Sequence, residues 1–135
     1  MISKKFASLD KLFSQYIRMR AVQRVGGCER CLTPKYDIQK DNGSSYPSWK
    51  QLQTAHFWGR RKISVRFDPD NAIGICGACH LHLTANPQEQ VEFFKARLGD
   101  RFDLLNSRMR TPARYLDKAA LTIYLNIKIQ ELENK

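Results

Sequence analysis

Four cysteines fall in two Cys-x-x-Cys pairs, Cys28/Cys31 and Cys76/Cys79. The three histidines, His56, His80 and His82, lie between the pairs or just after them. Two such pairs can close one tetrahedral zinc site, because each short knuckle delivers two soft ligands. Four thiolates fill the tetrahedron and leave no open position, so this ion would be structural. Apparent binding energies of about 10–16 kcal/mol make such a site a folding staple. A set of three cysteines and one histidine, with His80 or His82 replacing a thiol, competes with it. The all-cysteine set frees the histidines for other chemistry.

His56 stands in Thr54-Ala55-His56-Phe57-Trp58. With an ordinary pKa of about 6.5, its imidazole could take a proton from water at neutral pH. It could equally be buried and bonded to backbone. Asn71 follows a turn and precedes the second knuckle, where its amide can tie a loop or simply favour the turn. His80 directly follows Cys79 and could bind a second, catalytic metal or sit on the surface beside the zinc.

These residues belong to a chain of 135 residues with 42% hydrophobic and 27% charged positions, which fits one folded domain. No apolar run reaches the length of about 18 residues needed to cross a membrane. The Met1-Ile2-Ser3-Lys4-Lys5 start lacks the apolar stretch of a signal peptide. A cytoplasmic location is therefore expected, and reduced thiols there favour metal over two structural disulfides. The net charge of +10 points to a polyanionic partner, most simply nucleic acid.

The elements that must position the site read as follows. A helix is expected from about Ser3 to Val25, with Phe6, Leu9, Leu12, Phe13, Tyr16 and Ile17 on one apolar face. Lys4, Lys5, Lys11, Arg18, Arg20 and Arg24 decorate the remainder. Gly26-Gly27 ends it and frees the backbone to enter the first knuckle. Residues Thr33 to Trp49 carry loop chemistry. Strands are expected from Gln51 to about Trp58 and from Ile63 to Phe67, joined by the basic turn Gly59-Arg60-Arg61-Lys62. A helix follows Cys79. Another, capped by Asn86 and Pro87, runs to Leu98 before Gly99. A piece from Phe102 to Met109 precedes a last helix, capped by Thr111-Pro112, with the stripe Leu116, Ala119, Ala120, Ile123, Ile127 and Leu132.

His on the first strand, Asn after the second and His on the helix is the order of the HNH, or ββα-metal, nucleases. The resemblance covers roughly Cys28 to Gly99. It implies that His56 is the general base, that Asn71 holds the loop orienting it, and that His80 binds a divalent cation, Mg²⁺ or Mn²⁺. A closer resemblance covers most of the chain. Residues Leu9-Asp10-Lys11-Leu12-Phe13-Ser14-Gln15-Tyr16-Ile17-Arg18-Met19-Arg20 and Cys28-Glu29-Arg30-Cys31 look like the opening of the phage Rap/NinG recombination nucleases. Ala55-His56-Phe57, Arg66-Phe67-Asp68, Asn71, Cys76-Gly77-Ala78-Cys79 and Leu83-Thr84-Ala85-Asn86 are similar to that family's central block. That family implies a phage or prophage protein acting on branched DNA such as Holliday junctions and displacement loops.

Two departures stand out. Ala55 occupies the place where many HNH enzymes carry an acidic metal ligand, which leaves phosphate oxygens and water to fill the sphere of a catalytic ion. His80 replaces the asparagine common among the Rap-like relatives. His82 is expected to be structural or phosphate-facing. Arg60, Arg61, Lys62 and Arg66 are the expected DNA-binding residues around the turn. Tyr46 and Trp49 are candidates for stacking on unpaired bases.

The expected protein is a single α+β domain over residues 1–135. It has an N-terminal basic helix (1–27), a zinc-stapled ββα-metal core (28–99) and a helical extension (100–135). Its expected activity is metal-dependent DNA endonuclease. The alternative is a non-catalytic zinc module that recognises branched DNA and recruits recombination proteins. The last helix is expected either to pair with a copy of itself or to pack back onto the domain.

Overall fold

A computed structural model describes residues 5–112 and 115–135. The expected helix start near Ser3, and Lys4 of its basic face, lie outside them. The chain is α+β, with five helices and two small sheets among the described residues.

Helix α1 spans Ala7–Val25. Its apolar face is the expected one: Phe6, Leu9, Phe13 and Ile17 are buried, and Leu12 and Tyr16 pack beside them. Arg20 departs from expectation. It turns inward and donates to the carbonyls of Pro69 (3.0 Å) and Ala72 (2.8 Å). Gly26 ends the helix in the left-handed conformation at φ 74° and donates to Val22 O at 2.8 Å. A side chain on Gly27 would place its Cβ 2.1 Å from Thr33 O, so glycine is what lets the first knuckle fold back on itself.

The loop after this knuckle contains a short hairpin, β1 (Ile38–Gln39) with β2 (Ser45–Tyr46). A 3₁₀ turn, Ser48–Gln51, leads into the central hairpin. The Arg18 guanidinium lies over the Trp49 ring at 4.8 Å.

The central hairpin differs from the expected one. Strand β3 is Gln53–His56, and its antiparallel partner β4 is Ala72–Ile75, with Thr54 opposite Gly74 and His56 opposite Ala72. The expected second strand is instead a 3₁₀ turn, Ile63–Val65, within the connection. The alternation of Ile63, Val65 and Phe67 mimics a strand, but it arises because Val65 and Phe67 plug a loop into the core. The true partner is an unbroken apolar run, buried at every position because both of its faces are covered. One cover is α1. A Cβ on Gly74 would lie 2.7 Å from Ala21 Cβ and 3.3 Å from the Arg18 backbone, so helix and strand meet there at glycine's distance.

Helix α2 (Gly77–Ala85) begins inside the second knuckle, earlier than expected, with Cys76 as its N-cap. Helix α3 (Pro87–Leu98) has the expected Pro87 start and Gly99 stop. Asn86 does not cap α3 with its side chain; its amide instead donates to His82 O of α2 at 2.8 Å. Helix α4 is Arg101–Arg110. Helix α5 (Lys118–Glu133) starts later than Thr111-Pro112, with Asp117 accepting from Ala120 N at 3.0 Å. Its inward residues are Leu125 and Ile129, which pack it on the α1 side of the molecule. The expected stripe is corrected accordingly: Ala119, Ala120, Ile123 and Ile127 face out.

No helix among the described residues is long and apolar enough to cross a membrane. Two apolar clusters share β4. One gathers the hairpin, Cys28, Cys79 and α2–α4 around Ile73, Ile75, Phe94 and Leu105. The other lies between α1 and α5 around Phe13, Ile17, Phe67 and Leu125. The substitution Gly74→Ala is expected to destabilise the protein by about 1–3 kcal/mol, because the helix backbone it meets cannot yield easily. Urea denaturation measures this.

Candidate metal centre and the histidine cavity

The four cysteines converge. The Sγ atoms of Cys28, Cys31, Cys76 and Cys79 all lie within 4.8 Å of one another. A tetrahedron with Zn–S bonds of about 2.3 Å separates its sulfurs by about 3.8 Å. The Cys31 and Cys76 sulfurs are 3.9 Å apart. Backbone donors also point at the sulfurs: Cys28 Sγ accepts from Cys31 N (3.5 Å) and Cys76 N (3.3 Å). Arg30 Nη1 donates to Cys79 Sγ at 3.4 Å. Hydrogen bonds from Thr33 draw the Cys31 thiol down to about 6, whereas burial pushes Cys79 up to about 12. A dication offsets that burial, since it binds the thiolate form. The donor set, spacing and N–H···S contacts fit a structural zinc ion, and neither His80 nor His82 belongs to the cluster.

His82 is engaged elsewhere. Its Nε2 contacts the Glu89 carboxylate, which also pairs with Arg30 at 3.6 Å. Through Arg30, this small network reaches Cys79 of the cysteine cluster.

His56 and His80 line one cavity of about 410 Å³, together with Asp10, Ser14, Thr54, Gly59 and Arg60. His56 ends β3, and its ring lies 5.6 Å from that of Phe13. Its Nε2 is buried without a hydrogen-bond partner. Burial, then the positive charge of Arg60, lowers its pKa from 6.5 to about 4, against the pull of Asp10 and a backbone hydrogen bond with Arg66. Burial thus favours the neutral form of the ring at pH 7.

His80 projects from the first turns of α2. Its Nδ1 lies 2.7 Å from Gln53 Oε1. When Nδ1–H donates to that oxygen, Nε2 keeps its lone pair for a cation.

Asn71 stands behind the cavity rather than in it, and it is completely buried. Its Nδ2 donates to the carbonyls of Trp58 (2.9 Å) and Val65 (3.1 Å). Its Oδ1 accepts from Trp58 N at 2.8 Å, and its own carbonyl accepts from Phe57 N at 2.8 Å. One side chain thus ties both ends and the middle of the connection between β3 and β4.

The basic residues divide. Arg60 lines the cavity and its side chain is 58% exposed. Arg61 and Lys62 are exposed on the adjoining turn. Arg66 is a correction: its side chain is 1% exposed and cannot meet DNA. Nε and Nη2 grip the Asp10 carboxylate at 3.0 and 2.6 Å, and Nη1 donates to Arg60 O at 3.1 Å. The rings of Phe6 and Phe67 lie against its guanidinium.

Sequence reasoning about the site missed the contributions of Asp10, Ser14, Gln53 and Thr54. Ser14 and Thr54 join α1 to β3 through a 2.8 Å hydroxyl contact. The available signal was Asp10, an acidic residue beside the apolar face of an otherwise basic helix.

In comparisons with known proteins, no family model matches the chain, and neither a curated protein nor a solved structure does.

The protein is expected to carry one zinc ion per chain by elemental analysis. Cys28→Ser should remove it, and chelation of the wild type should lower the urea midpoint sharply. A second expectation follows from His56. Its folded pKa of about 4 lies below the 6.5 of the unfolded chain, so acid protonates the unfolded state first. The stability it contributes is complete above about pH 6.5 and is lost as pH falls toward 4. His56→Phe should lose less stability than wild type between pH 7.5 and 5, with the difference between the two proteins cancelling acid effects on the thiolates.

Proposed function

We propose that this protein is a metal-dependent DNA endonuclease of the HNH, or ββα-metal, type, acting on branched recombination intermediates. The observation that carries the reading is the meeting of His56 and His80 on one cavity beside Arg60, with Asn71 tying the loop behind them. The order of β3, β4 and α2 with the zinc knuckles supports the same assignment. The substrate class rests on the resemblance to the Rap/NinG nucleases and on the net charge of +10.

In this reading the neutral His56 removes a proton from water that attacks phosphorus. A pKa of about 4 makes it a weak base in the free protein. A phosphate entering the cavity brings negative charge, which raises that pKa toward the working range. Arg60 binds a phosphate oxygen and offsets its charge. Gln53, 2.7 Å from His80 Nδ1, would hold the ring and leave Nε2 to bind a divalent cation. A divalent cation, Mg²⁺ or Mn²⁺, would supply charge stabilisation for the phosphoryl and leaving oxygens. Asp10 does not complete its ligand set, because both carboxylate oxygens are held by Arg66. One imidazole with phosphate and water oxygens is a sphere that such ions accept.

The burial of His56 Nε2 and the absence of a carboxylate at Ala55 favour a second reading, a zinc module that binds branched DNA without cutting it. Cleavage separates the two. With Mg²⁺ or Mn²⁺, the wild type is expected to cut a labelled four-way junction or displacement loop in preference to plain duplex. His56→Ala should lower turnover by about 10²–10⁴-fold with DNA binding intact. Tight binding with no cleavage under either metal would instead establish the recruitment module.

A further inference from the structure

A second cavity, of about 300 Å³, opens between the last turn of α1 and helices α3 and α4. It is lined by Arg24, Val25, Glu29, Phe93, Arg97 and Arg101. Three guanidinium groups therefore surround a single carboxylate. That carboxylate is already committed: Glu29 Oε1 accepts from Arg97 at 3.1 and 2.6 Å, and Oε2 accepts from Gly74 N at 2.7 Å. Glu29 and Arg97 are both largely buried and cancel one another.

The other two arginines are not cancelled within the cavity. Arg101 makes one 3.3 Å contact to Asp70, and Asp70 is shared with Arg108 at 3.3 Å. Arg24 has no ion-pair partner among the described residues. Burial, then the like charge of Arg97, lowers its pKa, a penalty that an entering anion would relieve. The apolar wall of Val25 and Phe93 suits the sugar edge of a nucleotide better than a free inorganic ion.

The placement of the cavity gives it meaning. Asp10, at the histidine cavity, and Arg24, at this one, both lie on α1. At about 1.5 Å per residue they are roughly 21 Å apart along the axis, and nearly four full turns bring them to almost the same side of the helix. Phosphates of one DNA strand recur every 3.4 Å or so along the duplex axis, so a duplex lying along α1 must extend about six base pairs from one cavity to reach the other.

We propose that the cleft of Arg24, Arg97 and Arg101 is a second phosphodiester-binding site, which grips the DNA backbone about six base pairs along the duplex from the bond facing His56. The proposal rests on the nuclease reading for its identification of DNA as the ligand. It assigns the recognition of a substrate arm to the end of α1 remote from the chemistry.

The test uses the full zinc-loaded chain and a four-way junction, with binding followed over a salt series. Neutralising two contacts in Arg24→Gln/Arg101→Gln should make the log–log salt slope shallower by about 1.8. Arg24→Lys/Arg101→Lys should keep the wild-type slope. Wild-type affinity should also drop when one arm is cut below about six base pairs, and the glutamine variant should be insensitive to that shortening. A wild type that binds DNA with a slope and arm dependence unchanged in the glutamine variant would overturn the site. Saturation of the cleft by inorganic phosphate without any change in DNA slope would overturn its assignment to DNA. A wild type that binds no DNA at any salt would instead defeat the nuclease reading itself.

Discussion

The histidine cavity depends on one buried amide. The connection between β3 and β4 leaves the sheet at Phe57, passes through two 3₁₀ turns and returns at Asn71. A loop of this length has many conformations and would not hold His56 by itself. Asn71 uses both side-chain donors and its acceptor on backbone groups of the same loop, in an interior where each unsatisfied group costs about 1–3 kcal/mol. The loop is thereby closed from inside, and the first strand ends where His56 can share a cavity with the helix that follows the second.

A second set of constraints surrounds that loop and is electrostatic. The four sulfurs fit a dication, which would hold together two chain segments that sequence separates widely. Glu29, within the first knuckle, binds the Gly74 amide with one oxygen and Arg97 of α3 with the other. The metal centre, the hairpin and α3 are therefore braced as a unit. Helix α1 closes the opposite face, at a distance only Gly74 allows.

Much of this was legible because the signals are local. The Cys pairs, the α1 apolar face, the helix end at Gly26 and the α3 boundaries each follow from residues a few positions apart. The second strand was not. Ile63, Val65 and Phe67 alternate like a strand, while Ala72–Ile75 has no alternation because both its faces are buried. Only packing distinguishes the two. The charge of Arg66 misled for a similar reason: an arginine beside a basic turn reads as a DNA contact until Asp10 is brought against it from α1. The stripe of α5 was ambiguous because apolar residues populate more than one of its faces, and contact with α1 selects Leu125 and Ile129. Of the candidate site, His56, Asn71 and His80 could be named through the resemblance of their order to the HNH pattern, whereas Gln53 and Asp10 reach the histidines only through tertiary structure.

The clasp between Asp10 and Arg66 bears on how separable this architecture is. Residues 28–99 hold both knuckles, the hairpin and both cavity histidines, and look like a unit that could be moved between proteins. Yet within that unit Arg66 is buried among aromatic rings, and the carboxylate that balances it belongs to α1. Excised, the segment would lose that carboxylate and the Phe6 ring together, baring Arg66 beside the loop that orients His56. A chain carrying this module would need the preceding helix, or another cover for the face of Arg66, Phe67 and Ala72.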